Sequence, residues 1–155
     1  MIGAIIARRA VKSGFDALNE RNIDKFMKAW SDNCIWIYPG NVSAGGRFVG
    51  KTEVRKWFEK FQDQFPKRKF AIDHLGVGNI FALGGNNVIS AHWDLELVNK
   101  DGMSFSNSGV TLLTIKGAKV VQGQDFMSKT LVHIASQSAR SFHANQVGAT
   151  NIADE

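Results

Sequence analysis

Hydrophobic residues in the first half of the chain recur at the spacing of amphipathic helices. A long helix is predicted over residues 5–19, and Asn22 is placed to cap a second, short helix that follows it. A third helix is predicted to begin at Thr52 and to end before Pro66, because proline cannot continue a helix. The pattern therefore predicts three helices in this half of the chain.

Shorter apolar runs and alternating patterns predict strands. The run Cys34–Tyr38 predicts a strand before the third helix, and the glycine-rich stretch that follows it up to Gly50 predicts a loop. In the second half, three turn signals divide a long alternating region into four predicted strands, near residues 69–81, 88–98, 104–115 and 119–128. Because helices come first and an antiparallel meander follows, the order of elements indicates an α+β fold.

Length and composition favour one globular domain. A chain of 155 residues with 44% hydrophobic content can bury about 70% of its unfolded surface. The single Cys34 excludes a disulfide framework, and no apolar run approaches the roughly 18 residues that a membrane span needs. We therefore expect a cytoplasmic protein without membrane association. The chain becomes polar and small-residue-rich after Lys129, which predicts a domain over residues 1–130 and a loosely held tail over residues 131–155.

The formal net charge of +5 raises the question of nucleic-acid binding. The basic excess is concentrated between Arg47 and Lys69, in the third predicted helix and its flanks. A patch of this kind can bind phosphate. However, Glu53, Glu59 and Asp63 alternate with the bases, as they do on a solvated helix face. We expect no nucleic-acid partner.

Four motifs follow one another in a set order between residues 5 and 128. They are the helix pair ending in Trp30-Ser31-Asp32, the strand Cys34–Tyr38, the helix start Gly50-Lys51-Thr52-Glu53-Val54-Arg55, and the final hairpin over residues 109–121. In this order they resemble the nuclear transport factor 2-like superfamily, in its SnoaL-like, ketosteroid isomerase-like branch. The resemblance implies a cone-shaped fold, in which a strongly curved, mostly antiparallel sheet wraps around three N-terminal helices and leaves a deep, mostly apolar pocket. It also implies a homodimer formed through the outer face of the sheet.

The residues present argue against ketosteroid isomerase chemistry. The tyrosine and aspartate that do the central work in those enzymes match Phe15 and Tyr38, and a second acid falls near Thr111. Phenylalanine cannot donate a hydrogen bond, tyrosine is a poor base at neutral pH, and threonine carries no charge. The resemblance therefore does not carry that activity to this chain.

Limonene epoxide hydrolases of the same superfamily match somewhat better. Their final-strand acid corresponds to Asp125, and their Arg-x-Asp pair to His92-Trp93-Asp94, with histidine in the place of arginine. Their water-positioning residues fall near Ile35 and Ile37, whose side chains cannot hold a water molecule. Only part of the hydrolase machinery is thus present.

Asp125 is the leading catalytic candidate. Strand alternation places it on the same face as Val121, Gly123 and Met127. A carboxylate on an apolar face must be paired, or its pKa rises, because burying a bare charge is costly. A carboxyl group with a raised pKa suits a general acid or base near pH 7.

Two further catalytic candidates, His92 and Asp94, lie on a strand whose two faces differ. They alternate with the apolar Trp93 and its neighbours, and simple patterning would place the apolar set against the helices and the polar set in water. The resemblance allows the opposite, in which the Trp93 face forms the dimer interface and His92 and Asp94 face the pocket beside Asp125. Both alternatives stay open at this point.

Eight further side chains are assigned to the lining of the pocket. They are Phe15, Trp36, Tyr38, Trp57, Phe61, His74, Thr111 and Met127. An apolar lining with few polar groups is the usual form of a small-molecule site. A histidine beside apolar residues is most often a satisfied core group, and the spacing of His74 and His92 does not support a metal site. No phosphate loop or dinucleotide fingerprint occurs in the sequence, so no cofactor and no metal are expected.

Taken together, the residues and the resemblance lead us to expect a protein that binds a small, largely apolar molecule. Its leading function is proton transfer or hydrolysis of the isomerase, cyclase or epoxide hydrolase type, with Asp125 as acid or base. The alternative is a non-catalytic binding or carrier protein in which the same carboxylates only orient the ligand. A protein-interaction module is less favoured, because it would need an exposed apolar patch outside the dimer face, and the sequence marks none.

Overall fold

The computed structural model describes residues 2–40, 44–81 and 85–127 of the chain. Within these residues the helices are α1 (Ile2–Asn19), α2 (Ile23–Met27) and α3 (Lys51–Gln64). The strands are β1 (Trp30–Tyr38), β2 (Gly46–Val49), β3 (Lys67–Val77), β4 (Asn87–Val98), β5 (Ser104–Lys116) and β6 (Lys119–Met127). The predicted α+β fold, with three helices and a mostly antiparallel sheet, is confirmed.

Local signals explain where the helices begin and end. The Asn22 side chain accepts a hydrogen bond from the backbone N–H of Lys25 at 2.9 Å, which satisfies a free donor at the start of α2. The last residue of α3 is Gln64, two positions before Pro66. Both boundaries agree with the pattern of the sequence.

The six strands form one sheet in the order β2-β1-β6-β5-β4-β3. Strands β3 to β6 are an antiparallel meander, as predicted. Three features were not predicted from the sequence. Residues 46–49, expected in a loop, form the edge strand β2, and β1 pairs in parallel with β6. Strand β3 ends at Val77, short of the predicted residue 81.

The helices cover the face of the sheet that carries Trp93. On β4 the alternating apolar side chains are buried, and Trp93 is only 1% exposed. The ring of Phe70 on β3 lies 5.7 Å from Trp93 and 5.5 Å from Phe15 on α1, measured between ring centroids. The expectation that the Trp93 face forms a dimer interface is therefore wrong, because α1 and α3 already bury that face within one chain. We call it the inner face and the opposite side the outer face.

The predicted tail over residues 131–155 and the predicted domain boundary at residue 130 lie outside the described residues, so both stay predictions. In the part of the chain that is described, none of the helices has the length and hydropathy needed to cross a membrane.

Candidate functional site

Asp125 lies on the inner face of β6, opposite Thr111 on β5. Its Oδ1 accepts a hydrogen bond from the Thr111 hydroxyl group. The same hydroxyl oxygen accepts a hydrogen bond from the indole Nε1 of Trp93 at 2.9 Å. The carboxyl group is thereby tied to the core by a chain of two hydrogen bonds.

The surroundings of Asp125 change its acidity. Burial among protein atoms raises its pKa from 3.8 to about 7, while the hydrogen bond from Thr111 acts in the opposite direction. The residue as a whole is partly exposed, but its carboxyl group is the buried part. A carboxyl group with this pKa is present in both its protonated and ionised forms near pH 7, which is what general acid–base catalysis requires.

Tyr38, at the end of β1, is the second polar side chain at the site. Burial raises the pKa of its phenol, and the negative charge of Asp125 raises it further. Its hydroxyl donates a hydrogen bond to Sδ of Met127 at 3.4 Å, a weak acceptor. Tyr38 therefore stays a neutral hydrogen-bond donor at physiological pH and does not act as a base.

An aromatic wall extends from Tyr38 across the face of α3. The ring of Trp57 lies 4.6 Å from Tyr38 and 5.4 Å from Trp36, and it stacks on Phe61 at 5.7 Å with an interplanar angle of 6°. The indole Nε1 of Trp57 also donates to the carbonyl oxygen of Ala44 at 2.8 Å. These contacts hold the predicted lining residues of β1 and α3 together beside Asp125.

The other predicted lining residues divide into two groups. Thr111 and Met127 lie on the inner face, where they contact Asp125 and Tyr38 respectively. Phe15 belongs to the hydrophobic core and reaches the sheet through Phe70.

Three buried side-chain nitrogens have no hydrogen-bond partner within the described part of the chain. They are Nε1 of Trp36, Nε2 of Gln62 and Nδ2 of Asn107. A buried donor without an acceptor costs about 1–3 kcal/mol, so each such group points to a ligand or water molecule that would accept from it. Gln62 and Asn107 were not predicted from the sequence. In each case the signal in the sequence was a polar residue at a position where the spacing predicts a buried one. Gln62 lies four positions after the buried Phe58 on α3, and Asn107 lies opposite the buried Leu95.

The structure places His92 and Asp94 on the outer face, away from Asp125. Asp94 is exposed, and Nδ1 of His92 lies 2.6 Å from Oδ1 of Asp73. His74 pairs across the strands with His92 and is also exposed. The expectation that His92 and Asp94 assist Asp125 is corrected, because these residues alternate with side chains that the helices bury. The expectation that His74 lines the pocket is corrected too, because the register of β3 shifts between Ile72 and His74 and places His74 on the exposed side.

No group of three or more His, Cys, Asp or Glu residues in the described part of the chain is arranged to hold a metal ion. Two surface hollows lie apart from the site. One, of about 500 Å³, is lined by the start of β3, the end of β4 and the start of β5, and the other, of about 450 Å³, lies at the opposite ends of these strands. Neither hollow includes Asp125.

Basic side chains on α3 are engaged in ion pairs. A guanidinium nitrogen of Arg55 lies 2.7 Å from Asp24 of α2, and another lies 3.5 Å from Glu59. The ammonium group of Lys56 lies 2.8 Å from Glu53. This pairing is typical of a solvated helix face, where each pair contributes little to stability.

Comparison with known proteins places the geometry in a family. The family model of the SnoaL-like domain matches residues 11–123. No curated protein matches the chain. Among solved structures, an NTF2-like protein of unknown function from Burkholderia pseudomallei has a TM-score of 0.72 at 14% identity, with 83% of this chain and 95% of that chain covered.

Two other structures show the same fold at equally low identity. TerC, co-crystallised with polyporic acid, has a TM-score of 0.68 at 14% identity, with 83% of this chain and 96% of that chain covered. AclR, a proposed hydroxylase from Streptomyces galilaeus, has a TM-score of 0.66 at 14% identity, with 84% and 95% covered. At this identity the likeness concerns the fold alone, but the family model spans most of the chain. The chain therefore belongs to the SnoaL-like domain family of the NTF2-like superfamily.

Proposed function

We propose that the protein binds a small, largely apolar molecule against the inner face of its sheet and transfers a proton to or from it through Asp125. The observation that carries this proposal is the Asp125 carboxyl group itself, which lies on an apolar face with a pKa of about 7. A carboxyl group of this pKa can give a proton to one atom and take one from another at the same pH. Isomerisation, cyclisation and epoxide opening all require such a step.

The surrounding side chains support a ligand of mixed character. Phe61 and Met127, which are only partly buried, offer apolar surface, while Tyr38 offers a hydroxyl donor. Nε1 of Trp36, in the same wall, is a buried donor without a partner among the described residues, so it favours a ligand that carries a hydrogen-bond acceptor. The crystallisation of TerC with polyporic acid supports a small-molecule function for this fold.

A non-catalytic carrier is the second candidate. In that case Asp125 would orient a polar group of the ligand without transferring a proton, as binding sites with few polar residues commonly do. The partner-free donors favour binding and do not distinguish between the two functions. The variant Asp125→Asn separates them, because it keeps the shape of the side chain and removes the proton.

The test uses polyporic acid and a panel of aromatic carbonyl compounds as probes. Ligands are first found by the rise in melting temperature of the wild-type protein. Each hit is then incubated with the protein and followed by liquid chromatography with absorbance and mass detection, because the product of an isomerisation has the same mass as its substrate. The enzyme proposal expects conversion of a hit by wild type, its loss in Asp125→Asn, and its retention in the control Asp94→Asn, which removes an exposed carboxylate from the outer face. If the hits bind to the wild-type protein but are not converted by it, the carrier function is supported and the enzyme function is contradicted.

We also propose that two copies of the chain associate through the outer face of the sheet. Phe126 on β6 is 50% exposed and Val49 on β2 is 52% exposed. Ile35 and Ile37 on β1, which lies between these strands, and Leu112 on β5, beyond β6, also point outward and are only half-buried. Gln122 and Gln124 of β6 lie among them. An exposed apolar area on a sheet is a common feature of protein interfaces, and a second copy would cover it.

Light scattering tests this association. Wild type is expected to be a dimer at micromolar concentration, and Phe126→Asp is expected to be a monomer with an unchanged circular dichroism spectrum. The control is Ile80→Asp, which replaces an exposed apolar residue beyond the end of β3, outside the sheet. A monomeric wild type would contradict the proposal.

A further inference from the structure

The chain of hydrogen bonds behind Asp125 has a defined direction. Trp93 has only one polar hydrogen-bonding group, its indole N–H, which can donate but not accept. It donates to the Thr111 hydroxyl oxygen at 2.9 Å, so the hydroxyl proton cannot lie on that side. Thr111 is 6% exposed, and in the described part of the chain its hydroxyl has one other partner, Oδ1 of Asp125. The arrangement that satisfies all three groups therefore runs from Trp93 to Thr111 to Asp125.

This direction distinguishes the two oxygens of the Asp125 carboxyl group. Oδ1 receives the Thr111 proton and acts as an acceptor. If the carboxyl proton were also placed on Oδ1, the Thr111 hydroxyl would have to turn away and would become a buried donor without an acceptor, which is costly. The carboxyl proton is thus favoured on Oδ2.

A glycine on the neighbouring strand permits this arrangement. Gly109 lies directly opposite Trp93, and a Cβ atom at Gly109 would come within 2.7 Å of Cζ2 of the indole ring. Such a distance is far below van der Waals contact. The absence of a side chain lets the indole lie over β5 and reach Thr111, two residues further along the strand.

We propose that Trp93 and Thr111 are positioning residues for Asp125: the indole N–H orients the Thr111 hydroxyl, the hydroxyl occupies Oδ1, and Oδ2 is the oxygen that holds and exchanges the proton. This inference rests on the proposed role of Asp125 in proton transfer. Packing in the core requires only the ring of Trp93. The orientation of the Thr111 hydroxyl requires the indole N–H as well, so the inference assigns Trp93 a second role. Because the proton is held on Oδ2, it can be transferred only to or from a ligand atom that lies next to Oδ2.

The experiment is a titration of the Asp125 carboxyl carbon by NMR in wild type and variants. Thr111→Val removes the hydroxyl and is expected to raise the midpoint by about one pH unit, or about 1.4 kcal/mol, because the ionised carboxylate loses a donor. Thr111→Ser keeps the hydroxyl and should keep the wild-type midpoint. Thr114→Val makes the same change on the outer face of β5 and should also leave the midpoint unchanged.

A second readout follows Trp93 in the wild-type protein and uses Asp125→Asn as the control. The indole N–H resonance of Trp93 should shift with pH at the same midpoint as Asp125 in wild type, and this shift should vanish in Asp125→Asn. A midpoint unmoved in a folded Thr111→Val protein, or a Trp93 resonance that ignores the titration, would overturn the inference.

The outcomes for the two proposals are separable. A wild-type midpoint near 4 would remove the proton-transfer role of Asp125, whereas a dependence of that midpoint on Thr111 would still support the positioning role.

Discussion

Asp125 should make the stability of the protein depend on pH. Its pKa is 3.8 in the unfolded chain and about 7 in the folded protein, because burial disfavours the charged form. Between these two values the folded protein binds more protons than the unfolded chain, so the free energy of unfolding falls as pH rises. The contribution is fully present below pH 3.8 and is lost as the pH passes through about 7.

The size of this effect follows from the difference between the two pKa values. At about 1.36 kcal/mol for each pH unit, ionising Asp125 in the folded state costs about 4 kcal/mol. This is a large part of the roughly 5–15 kcal/mol by which a domain is stable. The Asp125→Asn variant has no proton to lose, so its stability relative to wild type should increase by about 4 kcal/mol from about pH 4 to about pH 8.

Urea unfolding followed by tryptophan fluorescence measures this difference at each pH. All other titrating groups are common to the two proteins, so their effects cancel in the comparison. Asp94→Asn serves as the control, because it removes an exposed carboxylate from the outer face of the same sheet. A difference between wild type and Asp125→Asn that changes by less than about 1 kcal/mol over this range would refute the reasoning.

Three further predictions concern the packing, a helix cap and the charge. Gly109→Ala should destabilise the protein by about 1–3 kcal/mol in urea unfolding, because its Cβ would strike the Trp93 ring, whereas Gly40→Ala, with open space around it, should be nearly neutral. Asn22→Ala should lower the free energy of unfolding by about 1 kcal/mol, because α2 loses its cap. Duplex DNA should bind weakly and with steep salt dependence in an anisotropy titration, and tight binding at about 150 mM salt would contradict our interpretation of the basic segment.

The sequence was sufficient to predict the helices and the meander, but it did not predict the edge of the sheet. Strand β2 was missed because its four residues, Gly46–Val49, follow a glycine-rich stretch and are too few to show alternation. The parallel pairing of β1 with β6 joins residues far apart in the chain, and a local pattern carries no information about such pairing. Helical spacing and turn residues, in contrast, are local signals and were reliable here.

Only part of the site could be predicted, again because the sequence shows local patterns but not which strands pair. Asp125 could be placed because alternation along β6 is regular near its end. For β4 the pattern alone assigned Trp93 to the core and Asp94 to solvent, and the structure agrees with the pattern. The alternative drawn from the resemblance was wrong for this strand, because the helices of the same chain supply the cover that was assigned to a second copy. The partner of Asp125, Thr111, depends on the register between β5 and β6, which the sequence does not specify.

The most direct test of the account is the pKa of Asp125 in the folded wild-type protein. Carbon-13 labelling of aspartate, with assignment by the Asp125→Asn variant, allows the carboxyl resonance to be followed from acid to alkaline pH. The account predicts a midpoint near 7, because the carboxyl group is buried on the inner face and only Thr111 opposes the shift. A midpoint near 3.8, the value of a carboxyl group in water, would contradict the claim that Asp125 is a buried acid–base group.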